Sequence, residues 1–194
     1  MTGRLRIVAG ERGGRLIACP DAIARPTTDR VREAMFSSLA SILGSFEGLA
    51  VCDAFAGSGA LGFEALSRGA ASAQFFDSDP KAVRCVSGNA ADLGVEGRAH
   101  ITSSDVLRRG IGAPSAPYDL VFLDPPYATE AACVASLLSQ AADAGLLGEG
   151  CIITYERSSA APCLDLPEGF QLVKQKRYGK TAVDVLQWEG DPRA

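Results

Sequence analysis

The chain has 194 residues, 47% of them hydrophobic, and a formal net charge of −4. That suits one α/β domain with a small appendage and a full core, and no run approaches the ~18 apolar residues of a membrane span. Six cysteines without a C-x-x-C pair, a lone His100 and an opening Met1-Thr2-Gly3-Arg4 unlike a signal peptide argue against zinc, redox or secretory roles, so a cytoplasmic protein with reduced thiols is expected.

Leu5-Arg6-Ile7-Val8 and Gly14-Arg15-Leu16-Ile17 are short strand-like runs with glycines between them, and they predict a hairpin. Arg25-Pro26-Thr27-Thr28-Asp29 stops the chain and offers an N-cap. Val31, Met35, Leu39 and Ile42 follow at helical spacing, which predicts a helix over 28–43. Residues 1–45 therefore form an N-terminal extension, and 46–194 the main domain.

From Leu49 the pattern is strand, glycine turn, helix, repeated. Strands are predicted at 49–55, 72–76, 99–102, 120–123 and 151–155, and helices at 60–67, 80–93 and 130–144. This alternation implies a mostly parallel sheet covered on both faces. The runs 171–176 and 182–188 have no helix between them and predict an antiparallel hairpin at the sheet edge, which completes seven strands.

Charge is unevenly spread. Residues 1–33 carry seven arginines against four acids, and residues 168–180 carry Lys174, Lys176, Arg177 and Lys180 against Glu168. The middle, 34–167, holds seven basic and fifteen acidic side chains. The two basic ends are candidates for phosphate contacts.

Asp53-Ala54-Phe55-Ala56-Gly57-Ser58-Gly59 leaves the first strand of the main domain and opens a helix. Its glycines allow a ligand close to the backbone, and the helix start supplies unpaired N–H groups. Asp77 ends the next strand, at the depth where an acid meets ribose hydroxyls. Gly57-Ser58-Gly59-Ala60-Leu61-Gly62 also satisfies G-x-G-x-x-G, so both NAD and S-adenosylmethionine (SAM) fit the glycines. Asp53 favours SAM, because a carboxylate suits an ammonium and a sulfonium better than a pyrophosphate. Asp105 can accept a hydrogen bond from an adenine amino group. The candidate cofactor residues are Asp53, Phe55, Gly57, Gly59, Asp77 and Asp105.

Asp124-Pro125-Pro126-Tyr127 follows the apolar run Tyr118–Leu123. The lone pair of an exocyclic amine is delocalised into its ring and must be localised before methylation. Asp124 and the carbonyl of Pro125 can accept the two amine hydrogens, Pro126 stiffens the turn, and Tyr127 can stack on the base. Orientation and electrostatics then carry most of the catalysis. The motif alone leaves adenine and guanine amines open.

The run Arg25–Glu33, the loop Asp53–Gly62 and Asp124–Tyr127 stand in the order and spacing found in the RsmD family, and the resemblance extends to Arg177-Tyr178-Gly179. The chain resembles these bacterial 16S ribosomal RNA guanine-N2 methyltransferases over nearly its whole length. The resemblance implies the class I SAM-dependent methyltransferase fold, Rossmann-like, with SAM as donor. It implies a guanine of small-subunit RNA as target, guanine 966 by analogy, and the 16S rRNA or small ribosomal subunit as partner. It places the Arg25–Glu33 segment beside cofactor and RNA. The expected RNA contacts are Arg4, Arg6, Arg25, Thr28, Arg30 and Arg32, and the small size suits a monomer.

Three other readings stay open. A DNA adenine-N6 methyltransferase shares Asp-Pro-Pro-Tyr, but the chain has no room for a target-recognition domain. An NAD-dependent oxidoreductase would need a proton donor that is not evident. A non-catalytic RNA-binding protein would have no use for Asp124 and Tyr127.

Overall fold

The computed structural model describes residues 3–20 and 29–190. Strands β1 (Gly3–Arg6) and β2 (Leu16–Cys19) pair antiparallel with Leu5 opposite Ile17. The hairpin is the predicted one, but its first strand begins and ends about two residues early. The early end is due to Glu64, whose buried carboxylate accepts the Val8 N–H at 2.6 Å and the Ala9 N–H at 3.0 Å. Those amides bond to a side chain of the main domain and leave the hairpin ladder.

Helix α1 (Asp29–Leu43) follows. The main sheet comprises β3 (Ala50–Asp53), β4 (Ser72–Asp77), β5 (Ala99–Ser103), β6 (Tyr118–Leu123), β7 (Leu147–Ser158), β8 (Phe170–Tyr178) and β9 (Thr181–Trp188). Their order is β5-β4-β3-β6-β7-β9-β8; β3 to β7 run parallel, and β9 is antiparallel to both neighbours. Between them lie α2 (Ala60–Ser67), α3 (Pro80–Leu93), α4 (Val106–Arg109) and α5 (Ala131–Asp143). No helix among the described residues is long and apolar enough to cross a membrane.

Two hydrophobic layers flank the sheet. One joins Phe36 and Leu39 of α1, Phe63 of α2 and Val86 of α3 to Val51, Phe75 and Phe122. Ile7 and Ile17 of the hairpin region belong to this layer, so the hairpin shares a core with α1, α2 and α3. The other layer joins Val106 of α4 and Val134 and Leu138 of α5 to Val121, Ile153 and Trp188. Both faces are covered, as parallel strands require.

Helix α4 and strand β7 also differ from the sequence reading. Helix α4 is an added single turn, capped by Asp105, whose Oδ1 accepts the Leu107 N–H at 3.1 Å. Strand β7 has 12 residues and continues past 155 through Glu156 and Arg157. Charge disguised this extension in the sequence. The ladder to β9 continues with Glu156 opposite Val183 and Arg157 opposite Ala182. Arg157 tolerates burial because its Nε meets Asp184 Oδ2 at 2.7 Å and its Nη1 donates to the Ala161 carbonyl at 2.8 Å.

Candidate active site

The strand ends of β3, β4, β6 and β7 open on one side of the sheet, where doubly wound folds bind ligands. A cavity of about 440 Å³ lies there. Its wall includes the loop after β3 from Asp53 to Ser58, Asp77 and Asp79 after β4, Ser104 and Asp105 after β5, Asp124 and Pro126 after β6, and Glu156 of β7. Leu5, Cys19 and Arg32 close it from the N-terminal extension.

The loop is shaped by backbone demands. Gly57 and Gly59 have φ of 56° and 80°, the left-handed region. A Cβ on Gly59 would run into the Phe63 ring, and one on Gly62 into Phe75. Asp77 Oδ2 accepts the Gly57 N–H at 2.8 Å, and its Oδ1 accepts the Asp79 N–H at 2.8 Å. A carboxylate has about four acceptor positions, so Asp77 keeps capacity for ligand hydroxyls. Asn89, buried on α3, donates to the Ser58 carbonyl and the Ala18 carbonyl, each at 2.9 Å, and accepts the Ala18 N–H at 2.8 Å. One amide thus ties the hairpin to the glycine loop.

Asp53 is 2% exposed and accepts the Gly62 N–H through Oδ2 at 3.0 Å. Burial pushes its carboxyl up to about 7; the Gly62 hydrogen bond opposes this, while Asp124 and Asp77 add to it. Six acidic side chains line the cavity, and Arg32 is the one basic side chain among the described lining residues. A cavity of this sign favours a cationic ligand and donor-rich substrate edges, and disfavours a pyrophosphate. Among the described residues, no group of His, Cys, Asp or Glu is arranged to hold a metal ion.

The structure brings Asp53, Phe55, Gly57, Asp77, Asp105, Asp124 and Pro126 together on this wall. Gly59 is not on the wall; it is the N-cap residue of α2, between Ser58 and Ala60, which are on it. Pro125 is buried beneath the motif, and Tyr127 stands at the surface, 53% exposed, with its hydroxyl 3.2 Å from Thr181 Oγ1. Arg4 and Arg6 lie on the outer face of β1, while Leu5 between them turns toward the cavity.

Arg32 departs from the expected RNA surface. It is 2% exposed, lines the cavity and donates from Nη2 to the Arg6 carbonyl at 2.6 Å. The reason is its helix position: Arg32 shares one stripe of α1 with Phe36 and Leu39, both fully buried. Arg25, Thr28 and the side chain of Arg30 lie outside the described residues. Sequence reasoning missed Leu5, Cys19, Asp79, Ser104 and Glu156 on this wall. A β7 extended by two residues would have exposed Glu156, but a charged pair after an apolar run gives no strand signal.

A doubly wound sheet with its last hairpin reversed at the edge, and an acidic cavity between glycine loop and Asp-Pro-Pro-Tyr, defines the SAM-dependent methyltransferase fold. The chain belongs to the family described as conserved hypothetical protein 95, the RsmD family, whose model matches residues 5–187. The protein named Ribosomal RNA small subunit methyltransferase D of Escherichia coli is 33% identical over 189 residues, covering 97% of this chain and 92% of its own. The Bacillus subtilis protein named Putative rRNA methyltransferase YlbH is 31% identical, covering 96% and 100%. Among solved structures, the putative methyltransferase yhhF from Escherichia coli superposes with a TM-score of 0.82 at 32% identity, covering 97% of this chain and all of that one.

Proposed function

We propose that the protein transfers a methyl group from SAM to the exocyclic N2 of a guanine in 16S ribosomal RNA, with guanine 966 as the target. One observation carries the reading: Asp124 of the amine-binding motif and the glycine loop with its acids face the same cavity. The names of the relatives support ribosomal RNA as substrate.

The residues present fit the donor. Asp53 would meet its ammonium, Asp77 its ribose hydroxyls and Asp105 its adenine amine, while Phe55 packs and the loop leaves room at Gly57 and Gly59. When bound, SAM supplies a methyl group on a positive sulfur. Asp124 and the Pro125 carbonyl accept the amine hydrogens and aim the nitrogen lone pair at that carbon. Held there, the amine nitrogen would take up that carbon, and the electron pair of the S–C bond would stay on sulfur. The methylated amine is then acidic and sheds its proton, so no strong base is required. Tyr127 follows Pro126 of the cavity wall and is exposed, so it can stack on a base that has left its helix.

RNA would approach the basic ends. Arg4 and Arg6 are exposed on β1, and Lys176 is exposed on the edge strand β8 with Lys174 half-buried beside it. The test uses labelled SAM with small subunits lacking the modification, followed by mapping of the methylated base. Asp124→Ala should abolish transfer and leave SAM affinity within about threefold, since the substrate amine and not the donor depends on it. Near-normal turnover by this variant, or label on another nucleotide or on DNA alone, would refute the assignment.

A further inference from the structure

Glu156 lines the cavity, is 6% exposed, and belongs to none of the sequence motifs. Its position follows from the sheet. Strands β6 and β7 are parallel neighbours with Leu123 opposite Tyr155, so Asp124 and Glu156 come next on adjacent strands. Such strands lie about 4.8 Å apart. Tyr155 packs into the α5 layer, and strand alternation turns Glu156 to the opposite face, toward α1 and the cavity. Two carboxylates, Asp124 and Glu156, therefore stand side by side where the target base must enter.

We propose that Glu156 is a specificity-determining residue that accepts the N1–H of the target guanine. The proposal rests on the guanine-N2 reading above. On its Watson–Crick edge guanine presents N1–H and the N2 amine side by side, both donors. A neighbouring pair of acceptors matches that edge, with Asp124 on the amine and Glu156 on N1–H. Adenine, cytosine and 2-aminopurine carry a lone pair at the corresponding ring nitrogen. A buried carboxylate facing that lone pair leaves two acceptors in conflict and rejects the base. Asp124 alone would hold any exocyclic amine; Glu156 adds the requirement for a ring N–H.

The experiment reconstitutes small subunits with 16S rRNA carrying either guanosine or 2-aminopurine riboside at the target position. The analogue keeps the N2 amine and replaces N1–H with an acceptor. Initial rates with labelled SAM give kcat/KM for each substrate, for the wild type and for Glu156→Gln. The Gln amide can donate to the analogue's ring nitrogen or accept from guanine. The wild type should prefer guanosine by about tenfold or more, and Glu156→Gln should shrink that ratio by about tenfold. Thermal stability and SAM affinity are measured in parallel, because a merely structural carboxylate would change those and leave the ratio alone. An unchanged ratio in a folded, SAM-binding variant overturns the proposal. Equal wild-type rates on the two substrates overturn it without any variant, which covers misfolding of the substituted chain. No wild-type methylation of guanosine-bearing subunits would instead defeat the underlying functional reading.

Discussion

Asp53→Asn separates what the buried carboxylate costs the fold from what it contributes to ligand binding. Asp53 has an ordinary carboxyl value of 3.8 in the open chain and about 7 in the folded protein. Between these limits the folded site holds a proton that the unfolded chain has lost, so stability falls as pH rises, and the loss is complete above about 7. At 1.36 kcal/mol per unit, the full span is about 4 kcal/mol. Asparagine is nearly isosteric, its amide oxygen can keep the Gly62 N–H, and it does not ionise. The ligand-free variant should thus be more stable than the wild type at pH 8, by about 2–4 kcal/mol once local relaxation is allowed for. The gap should widen by about 2–3 kcal/mol from pH 5 to pH 8. For a domain of this size that difference raises Tm by roughly 5–15 °C. Urea melts of both proteins across that range measure it. SAM affinity should move the other way, weakening in the variant by about tenfold to a hundredfold through loss of a charged hydrogen-bond acceptor. In the wild type it should strengthen as pH rises through about 7. A stability gap that stays flat with pH, or a destabilised variant at pH 8, would show that Asp53 is not strained by burial and would refute the reasoning.

The other predictions address the frame around the cavity. Glu64→Gln removes the charge that pairs with Arg68 Nε at 2.8 Å and weakens the hold on two hairpin amides; it should cost about 3 kcal/mol and speed hydrogen exchange at Val8 and Ala9. Gly62→Ala forces a methyl group against Phe75, and urea melts should show a loss of about 1–3 kcal/mol together with weaker SAM binding. Lys174→Ala and Lys176→Ala should each weaken RNA binding and lower its logarithmic salt slope by about 1, with SAM affinity unchanged. Binding and slope that do not move would place the RNA elsewhere.

Local patterns in the sequence determined most elements and the two motifs. Strand, glycine turn and helix alternate as a parallel sheet requires, and α2 and α3 span the residues this pattern predicts. The glycine loop and Asp-Pro-Pro-Tyr were legible because each is a run of neighbouring residues, and both border the cavity. Tertiary structure decided what depends on distant partners. Arg32 reads as a surface charge until α1 packs its Phe36 and Leu39 stripe inward and carries the guanidinium to the cavity. Glu156 reads as lying past a strand that ends at Tyr155 until β9 extends the ladder through it. Val8 reads as strand until Glu64, 56 residues away, takes its amide together with that of Ala9. In each case burial or hydrogen bonding comes from an element far along the chain, and a local window contains no record of it.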